Sequence, residues 1–276
     1  MNEHVETLSS QDHWETEWTR IKLPRSVDLE GREDHRVYHQ VFTRCLESLP
    51  RPASVLEIGC AASSWLPYFS RQHACRVFGL DYTQEGVDLA RENLKLQGQE
   101  GRVEWGDLLS DERTFDQEFD LVVSFGVMEH FRPTEAVLRR AAAYLKPGGL
   151  LVTQIPNLRG VFGWGLRAFR RGLYDIHVPM SLDELKESHA KAGLQPFEIP
   201  GYVGPLRLNM LFSSVVPRRW PRLVRAGIAT AGDLGSRAAN AALSLPILNR
   251  ARRWTVPDLV VVYRKPVSAN GRSEAV

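Results

Sequence analysis

The chain has 276 residues, of which 43% are hydrophobic and 25% charged. That length and make-up suit one large globular α/β domain with insertions, or a domain with a cap. A net charge of +2 singles out no nucleic-acid partner, and no uncharged apolar run approaches the ~20 residues of a membrane span.

The first residues, Met-Asn-Glu-His-Val-Glu, have neither a basic n-region nor an apolar h-region, so no signal peptide is expected. Cys45, Cys60 and Cys75 form no Cys-x-x-Cys pair. Neither a zinc site nor a disulfide framework is indicated, and a reducing, cytoplasmic setting is expected. The eight histidines show no metal-ligand spacing, so no metal is assigned, although a metal-assisted reaction stays open. Residues 1–35 are polar and carry Trp14 and Trp18, which share a face if the segment is helical. A helix is expected from about Arg36 to Leu49, carrying Val37, Tyr38, Val41, Phe42 and Leu46. Residues 1–50 are read as an N-terminal helical cap.

Residues 53–60, Ala-Ser-Val-Leu-Glu-Ile-Gly-Cys, are the stretch around which the core is organised. Val55, Leu56 and Ile58 make the short apolar run of a buried parallel strand. Glu57 is a charge where a core would not normally place one. Beyond Gly59 stand Cys60, Ala61, Ala62, Ser63 and Ser64, all small, which lets the backbone come close to a ligand at a helix start. An ordinary strand-to-turn junction of any α/β protein would look similar. The stretch resembles motif I of the class I S-adenosylmethionine-dependent methyltransferases: an apolar strand, an acidic residue, then Gly-x-Gly-x-Gly. Only Gly59 of those glycines is kept; Ala61 and Ser63 stand where glycine is commoner.

The next strand, Arg76 to Leu80, ends at Asp81, and Thr83 can cap the following helix. An acidic residue just past the second strand, about twenty residues beyond the glycine turn, accepts from the ribose diol in nucleoside-binding α/β folds. The structural alternative is an N-capping aspartate. The strand Val103-Glu104-Trp105 runs into Gly106-Asp107-Leu108. By the resemblance, Asp107 accepts from the adenine amino group and Leu108 donates its amide to the ring. Phe119 to Ser124 is a further strand, followed by Phe125-Gly126-Val127-Met128-Glu129-His130-Phe131. This resembles motif IV, with the Met-Glu-His continuation seen in small-molecule methyltransferases, including the ubiquinone-biosynthesis O-methyltransferases. Pro133 suits the first position of a helix to about Leu145. Lys146-Pro147-Gly148-Gly149 then ends it ahead of Leu150 to Asn157, resembling motif V.

The resemblance therefore implies a Rossmann-like class I methyltransferase fold: an α/β domain with a seven-stranded, mostly parallel sheet and helices on both faces. It implies S-adenosylmethionine as cofactor, held by Glu57, Gly59, Cys60, Ala61, Asp81, Tyr82, Asp107, Leu108, Ser124 and Phe125. N-terminal helices often close over the cofactor in this family, which would make Trp18 or Tyr38 a lid; simple packing of those rings on the domain is the alternative.

Past Asn157 the chain leaves the common core. Ser181-Leu182-Asp183-Glu184 is a capping box opening a helix to about Ala192, ended by Gly193. Gln195 to Ile199 and Leu259 to Tyr263 read as the last two strands. Residues 51–204 are thus the core and 255–267 its last strand, with 205–254 an Arg-rich helical insertion and 268–276 a disordered tail. The insertion holds nine arginines against Asp233, a net of +8, leaving −6 for the rest. Pro221 can start a basic amphipathic helix there, which suits a membrane surface, a phosphate or simply a solvated face.

Methyl transfer to oxygen needs alignment of the reacting atoms and loss of the acceptor proton. His130, beside the cofactor, and His177, ahead of the capped helix, are the candidate bases; the alternative is that His130 only bonds backbone and Glu129 only orients a loop. The reading is O-methylation of a small molecule or a glycan, lipid-linked or free, by an enzyme at the cytoplasmic membrane face or in the cytoplasm. Two alternatives stand beside it. One is a catalytically silent binding or scaffold protein of the same fold, which the altered glycine loop allows. The other is an NAD-dependent oxidoreductase, against which the missing Gly-x-Gly-x-x-Gly and the presence of Asp107 argue.

Overall fold

Alternating apolar residues on consecutive strands supply both faces of one sheet. Val55, Leu121, Val123, Val152 and Val260 join one buried cluster, while Leu56, Val122, Leu151, Leu259 and Val261 join another. The computed structural model describes residues 4–206, 220–243 and 252–267. In chain order the elements are β1 Glu6–Thr7, α1 Gln11–Trp18, α2 Glu33–Glu47, β2 Ser54–Ile58, α3 Trp65–His73, β3 Arg76–Asp81, α4 Gln84–Leu96, β4 Arg102–Trp105 and β5 Phe119–Phe125. A short 3-10 turn, Met128–His130, precedes β6 Phe131–Arg132, α5 Thr134–Ala143 and β7 Leu145–Pro156. Then come α6 Val161–Phe169, α7 Arg171–Asp175, α8 Leu182–Lys191, β8 Gln195–Val203, α9 Arg222–Leu243, α10 Arg252–Thr255 and β9 Asp258–Arg264.

The main sheet has seven strands in the order β4-β3-β2-β5-β7-β9-β8. The pairings from β4 through β7 are parallel, and β9 runs antiparallel to both its neighbours. Helices α2, α3 and α4 cover one face through Phe42, Phe69 and Val87; α5 and α8 cover the other through Val137, Leu138 and Leu185. The chain turns outward from β2 in opposite directions, toward β3 on one side and β5 on the other. Such a switch point leaves a crevice at the carboxyl ends of the strands, where ligands bind in this class of sheet. Register brings Ile58 level with both Leu80 and Ser124, and Asp81 level with Trp105. The ends of four strands therefore meet at one crevice.

Two helix starts match the sequence expectation. Thr83 accepts from Gly86 N at the start of α4, and Ser181 and Glu184 form the reciprocal box of α8. Boundaries differ where pairing overrules propensity. Helix α5 stops at Ala143, because Leu145 already pairs with Phe119 in the sheet. Pro133 is its N-cap rather than its first residue. Strand β8 runs on to Val203, past the expected end at Ile199, with register shifts that absorb its irregular middle. Helix α2 starts at Glu33 and ends at Glu47. The tail 268–276 and much of the Arg-rich segment, including Phe212, Val215, Val216, Arg218 and Arg219, lie outside the described residues. No helix among the described residues is long and apolar enough to cross a membrane.

Candidate active site

The turn after β2 shapes one wall. Gly59 has φ +71°, and a Cβ there would stand 2.4 Å from Val127 Cγ2, so only glycine fits. Ala61 has φ 25°, in the region that favours glycine, which explains why glycine is common at this place in the resembled motif. Its N–H donates to Asp81 Oδ2 at 2.9 Å, which holds the turn despite that conformation. Behind the turn, Glu57 is buried and its Oε2 accepts from Ser63 Oγ at 2.6 Å; Ser63 Oγ in turn accepts from Trp65 N at 2.8 Å. Burial pushes the Glu57 carboxyl up to about 8, against the lowering effect of the Ser63 bond.

A cavity of about 450 Å³ opens over the strand ends, within the usual size range of small-molecule sites. Gly59, Asp81, Tyr82, Asp107, Leu108 and Phe125 of the expected cofactor set line it. Glu57, Cys60, Ala61 and Ser124 do not; all four are buried and shape the turn and the strand end. Asp81 is less free than a bare ribose acceptor. Oδ1 takes hydrogen bonds from Thr83 N and Oγ1 at 2.9 and 2.7 Å, and Oδ2 takes that of Ala61. Three of about four lone-pair positions are thereby used. So Asp81 is not the helix cap offered as the alternative reading, a place Thr83 takes; it anchors that cap and lines the cavity. Burial raises its carboxyl above the ordinary range, opposed by the Thr83 and Ala61 bonds. Asp107 is exposed, and its Oδ1 accepts from Leu109 N at 2.8 Å.

The far end of the cavity is built by two segments distant in sequence. The 3-10 turn carries Glu129 and His130, and the loop after α7 carries His177. Val178 N donates to Glu129 O at 2.7 Å, which ties the loop to the turn. The imidazoles of His130 and His177 lie with centroids 4.4 Å apart. His130 Nδ1 is 2.6 Å from Ile176 O, and His177 Nδ1 is 2.7 Å from Leu173 O. A carbonyl only accepts, so both Nδ1 atoms carry hydrogen and both Nε2 atoms keep a lone pair. Burial, with His177 nearby, lowers His130 to about 4; burial also lowers His177. His130 is therefore a neutral, weakly basic ring at neutral pH, less suited to proton storage than its position in the sequence suggests. Glu129 is 1% exposed, its Oε2 lacks a hydrogen-bond partner among the described residues, and burial pushes its carboxyl up to about 8. Glu129, His130 and His177 present one ligand atom each within 4.8 Å of one another. No spacing in the sequence announces that grouping.

The N-terminal segment closes the top. Strand β1 pairs with β6, and Leu8 N donates to His130 O at 2.8 Å. Trp14 and Trp18 stack at 5.5 Å on one face of α1, and both line the cavity. Trp14 stands edge-on to His130 at 5.1 Å, and the buried Trp18 Nε1 has no partner among the described residues. Trp18 thus takes the position expected of a lid, and Tyr38 does not. Tyr38 is 5% exposed and packs on Phe125 and Trp65 at 5.5 and 5.6 Å, on the buried stripe of α2. Sequence reading also misses Thr7, Ser9, Gln154 and Pro156 as lining residues; a two-residue strand such as β1 has no periodicity to detect.

A mostly parallel sheet of this order, a glycine turn after β2 and acidic residues at the end of β3 and just past β4 define a class I methyltransferase architecture. Comparison with known proteins agrees. A sequence model described as a methyltransferase domain matches residues 31–198; the chain belongs to that family. Methyltransferase GfsG of Streptomyces halstedii is 26% identical over 182 residues, covering 64% of each chain. Ubiquinone biosynthesis O-methyltransferase of Bradyrhizobium sp. (strain ORS 278) is 33% identical over 115 residues, covering 41% of this chain and 42% of that one. The match thus spans less than two thirds of either relative. The solved structure of coclaurine N-methyltransferase, bound to N-methylheliamine and SAH, aligns with a TM-score of 0.56 at 13% identity, covering 86% of this chain and 75% of the other. That likeness is one of fold.

Proposed function

We propose that the chain transfers a methyl group from S-adenosylmethionine to a hydroxyl oxygen of a small molecule or a glycan. The observation that carries this reading is the continuous cavity joining Gly59, Asp81 and Asp107 at one end to Glu129, His130 and His177 at the other. The donor fits the first end: the bare Gly59 backbone admits close approach, Asp81 Oδ2 has room for a further hydroxyl, and the orphan Trp18 Nε1 offers a donor. When bound, the cofactor supplies a sulfonium methyl; the acceptor oxygen forms the C–O bond as the C–S bond breaks, and the hydroxyl proton is lost.

This chain's residues align and exclude water. Asp81 and Asp107 fix the nucleoside end, and Leu108 and Phe125 give it apolar walls. Trp14 and Trp18 close the cavity, so the acceptor meets the methyl away from bulk water. The Nε2 lone pairs of His130 and His177 accept the acceptor's hydroxyl hydrogen bond. His177, nearer the surface, is the better placed to pass the proton on.

The acceptor reading extends to a lipid-linked glycan at the inner face of the cytoplasmic membrane. Helix α9 exposes Leu223 at 86% and Leu234 at 62%, with Arg222 and Arg225 also exposed. Exposed apolar and cationic groups together suit an anionic lipid surface.

Calorimetry with S-adenosylhomocysteine and with NAD, followed by a labelled-methyl screen of cell extracts, tests the proposal. Binding of S-adenosylhomocysteine alone and label in a glycan or small-molecule fraction support it. Binding of NAD instead, or no labelled product, overturns it.

A further inference from the structure

Glu129, His130 and His177 have the attributes of a cation site as well as of a polar wall. Two neutral imidazoles and one carboxylate are a donor set for a first-row divalent metal. Each imidazole is already fixed by an Nδ1–H bond to a backbone carbonyl, Ile176 O for His130 and Leu173 O for His177. This is the outer-sphere arrangement that orients metal-ligating histidines. It leaves both Nε2 lone pairs available, and His130 Nε2 lies 3.9 Å from Glu129 Oε1.

The second observation is Glu129 itself. Its side chain is buried in the cavity wall, yet Oε2 has no hydrogen-bond donor among the described residues. Buried carboxylates that serve only packing are ordinarily satisfied by donors. The imidazole nitrogen beside this carboxyl, His130 Nε2 at 3.9 Å from Oε1, carries no hydrogen and cannot donate to it. A cation bound between Glu129, His130 and His177, with the carboxyl proton released to solvent, would satisfy all three at once.

We propose that Glu129, His130 and His177 bind a divalent transition-metal ion, with its remaining coordination positions open to the cavity. The inference deepens the reading of this cavity as the methyl-transfer site and rests on it for its purpose. The donor atoms, within 4.8 Å of one another, must draw in to the about 3–3.5 Å separation set by metal bonds of about 2.0–2.2 Å. An acceptor hydroxyl on the ion loses its proton more readily, as metal-bound water does, and the proton passes to solvent. That removes the demand on two weakly basic histidines. In the metal-free form they remain hydrogen-bond acceptors for the hydroxyl.

The test is Co²⁺ titration of the tag-free, chelator-treated full chain, followed by visible absorption, with no methyl donor or acceptor present. Methyl transfer is not read, so a failure of the enzymatic reading leaves this result interpretable. One Co²⁺ per chain, displaceable by Zn²⁺, is expected. Glu129→Gln and His177→Ala should each weaken Co²⁺ by about 100-fold or more, beyond the about 10–100-fold that outer-sphere partners carry. His73→Ala, altered at the separate His39–Tyr68–His73 group, should bind as the parent does. His177→Gln serves as a second variant, and retained S-adenosylhomocysteine affinity shows that each variant is folded. No Co²⁺ uptake by the parent overturns the proposal, as does unchanged affinity in folded Glu129→Gln and His177→Gln.

Discussion

His130 and His177 stand with ring centroids 4.4 Å apart at the far end of the cavity, one on the turn after β5 and the other on the loop after α7. Their Nδ1 atoms are committed to carbonyls, so the chemistry of either ring passes through Nε2. His130→Gln and His177→Gln should each lower turnover by about 100-fold, the scale of a lost proton-transfer or positioning group. Affinity for S-adenosylhomocysteine should be kept, since neither ring belongs to the nucleoside end. Turnover near normal in both variants, by single-turnover methyl transfer, would remove the histidines from the mechanism.

A histidine away from the site sets part of the acid stability. His189 is fully buried, with Nε2 2.9 Å from Thr153 Oγ1 and Nδ1 2.7 Å from Leu185 O. Burial lowers it from 6.5 to about 4. The unfolded chain takes up the proton near pH 6.5 and the folded chain only near 4, so acid favours unfolding. This one group should contribute a loss of about 3 kcal/mol as pH falls across that interval. Denaturant unfolding of His189→Gln at several pH values should show a shallower acid limb than the parent; parallel limbs would contradict the assignment.

The Arg-rich helix gives a separate expectation. The chain should float with anionic vesicles at low salt and release at high salt, because each Arg near such a surface contributes ~1 kcal/mol that salt screens. Arg222→Gln with Arg225→Gln should weaken flotation and leave cofactor affinity unchanged. A parent protein that ignores anionic vesicles at low salt would make α9 a solvated face.

Local motifs carry most of the fold. Val55 to Gly59, Asp81, Asp107 and Phe119 to Ser124 are each readable because a buried parallel strand, its end and the next cap are contiguous in sequence. Contacts between distant segments are hidden from such reading. His177 is brought to His130 by two bonds between distant segments, Val178 N to Glu129 O and His130 Nδ1 to Ile176 O, and no periodicity encodes that pairing. Asp81 is legible as acidic and well spaced, but its grip on Ala61 depends on the unusual backbone of Ala61, which composition does not report. Tyr38 resembles a lid candidate in sequence because an aromatic near a site suggests one. Its stripe with Val41, Phe42 and Cys45 is the ordinary core face of a helix.

On the proposed reading this cavity holds the methyl donor, with Asp81 on its ribose. Calorimetric titration of S-adenosylhomocysteine into the parent, Asp81→Ala and Asp107→Ala proteins decides the matter. The parent should show one site. Each variant should lose roughly 1.5–3 kcal/mol of binding, the scale of a hydrogen bond to a charged group. Asp81→Ala should lose the more, because it also releases Ala61 N and both Thr83 groups. Its unfolding midpoint should fall as well, whereas the exposed Asp107 should leave stability unchanged. Unchanged affinity in a folded Asp81→Ala protein, or no binding by the parent, would contradict the assignment of this cavity to the cofactor.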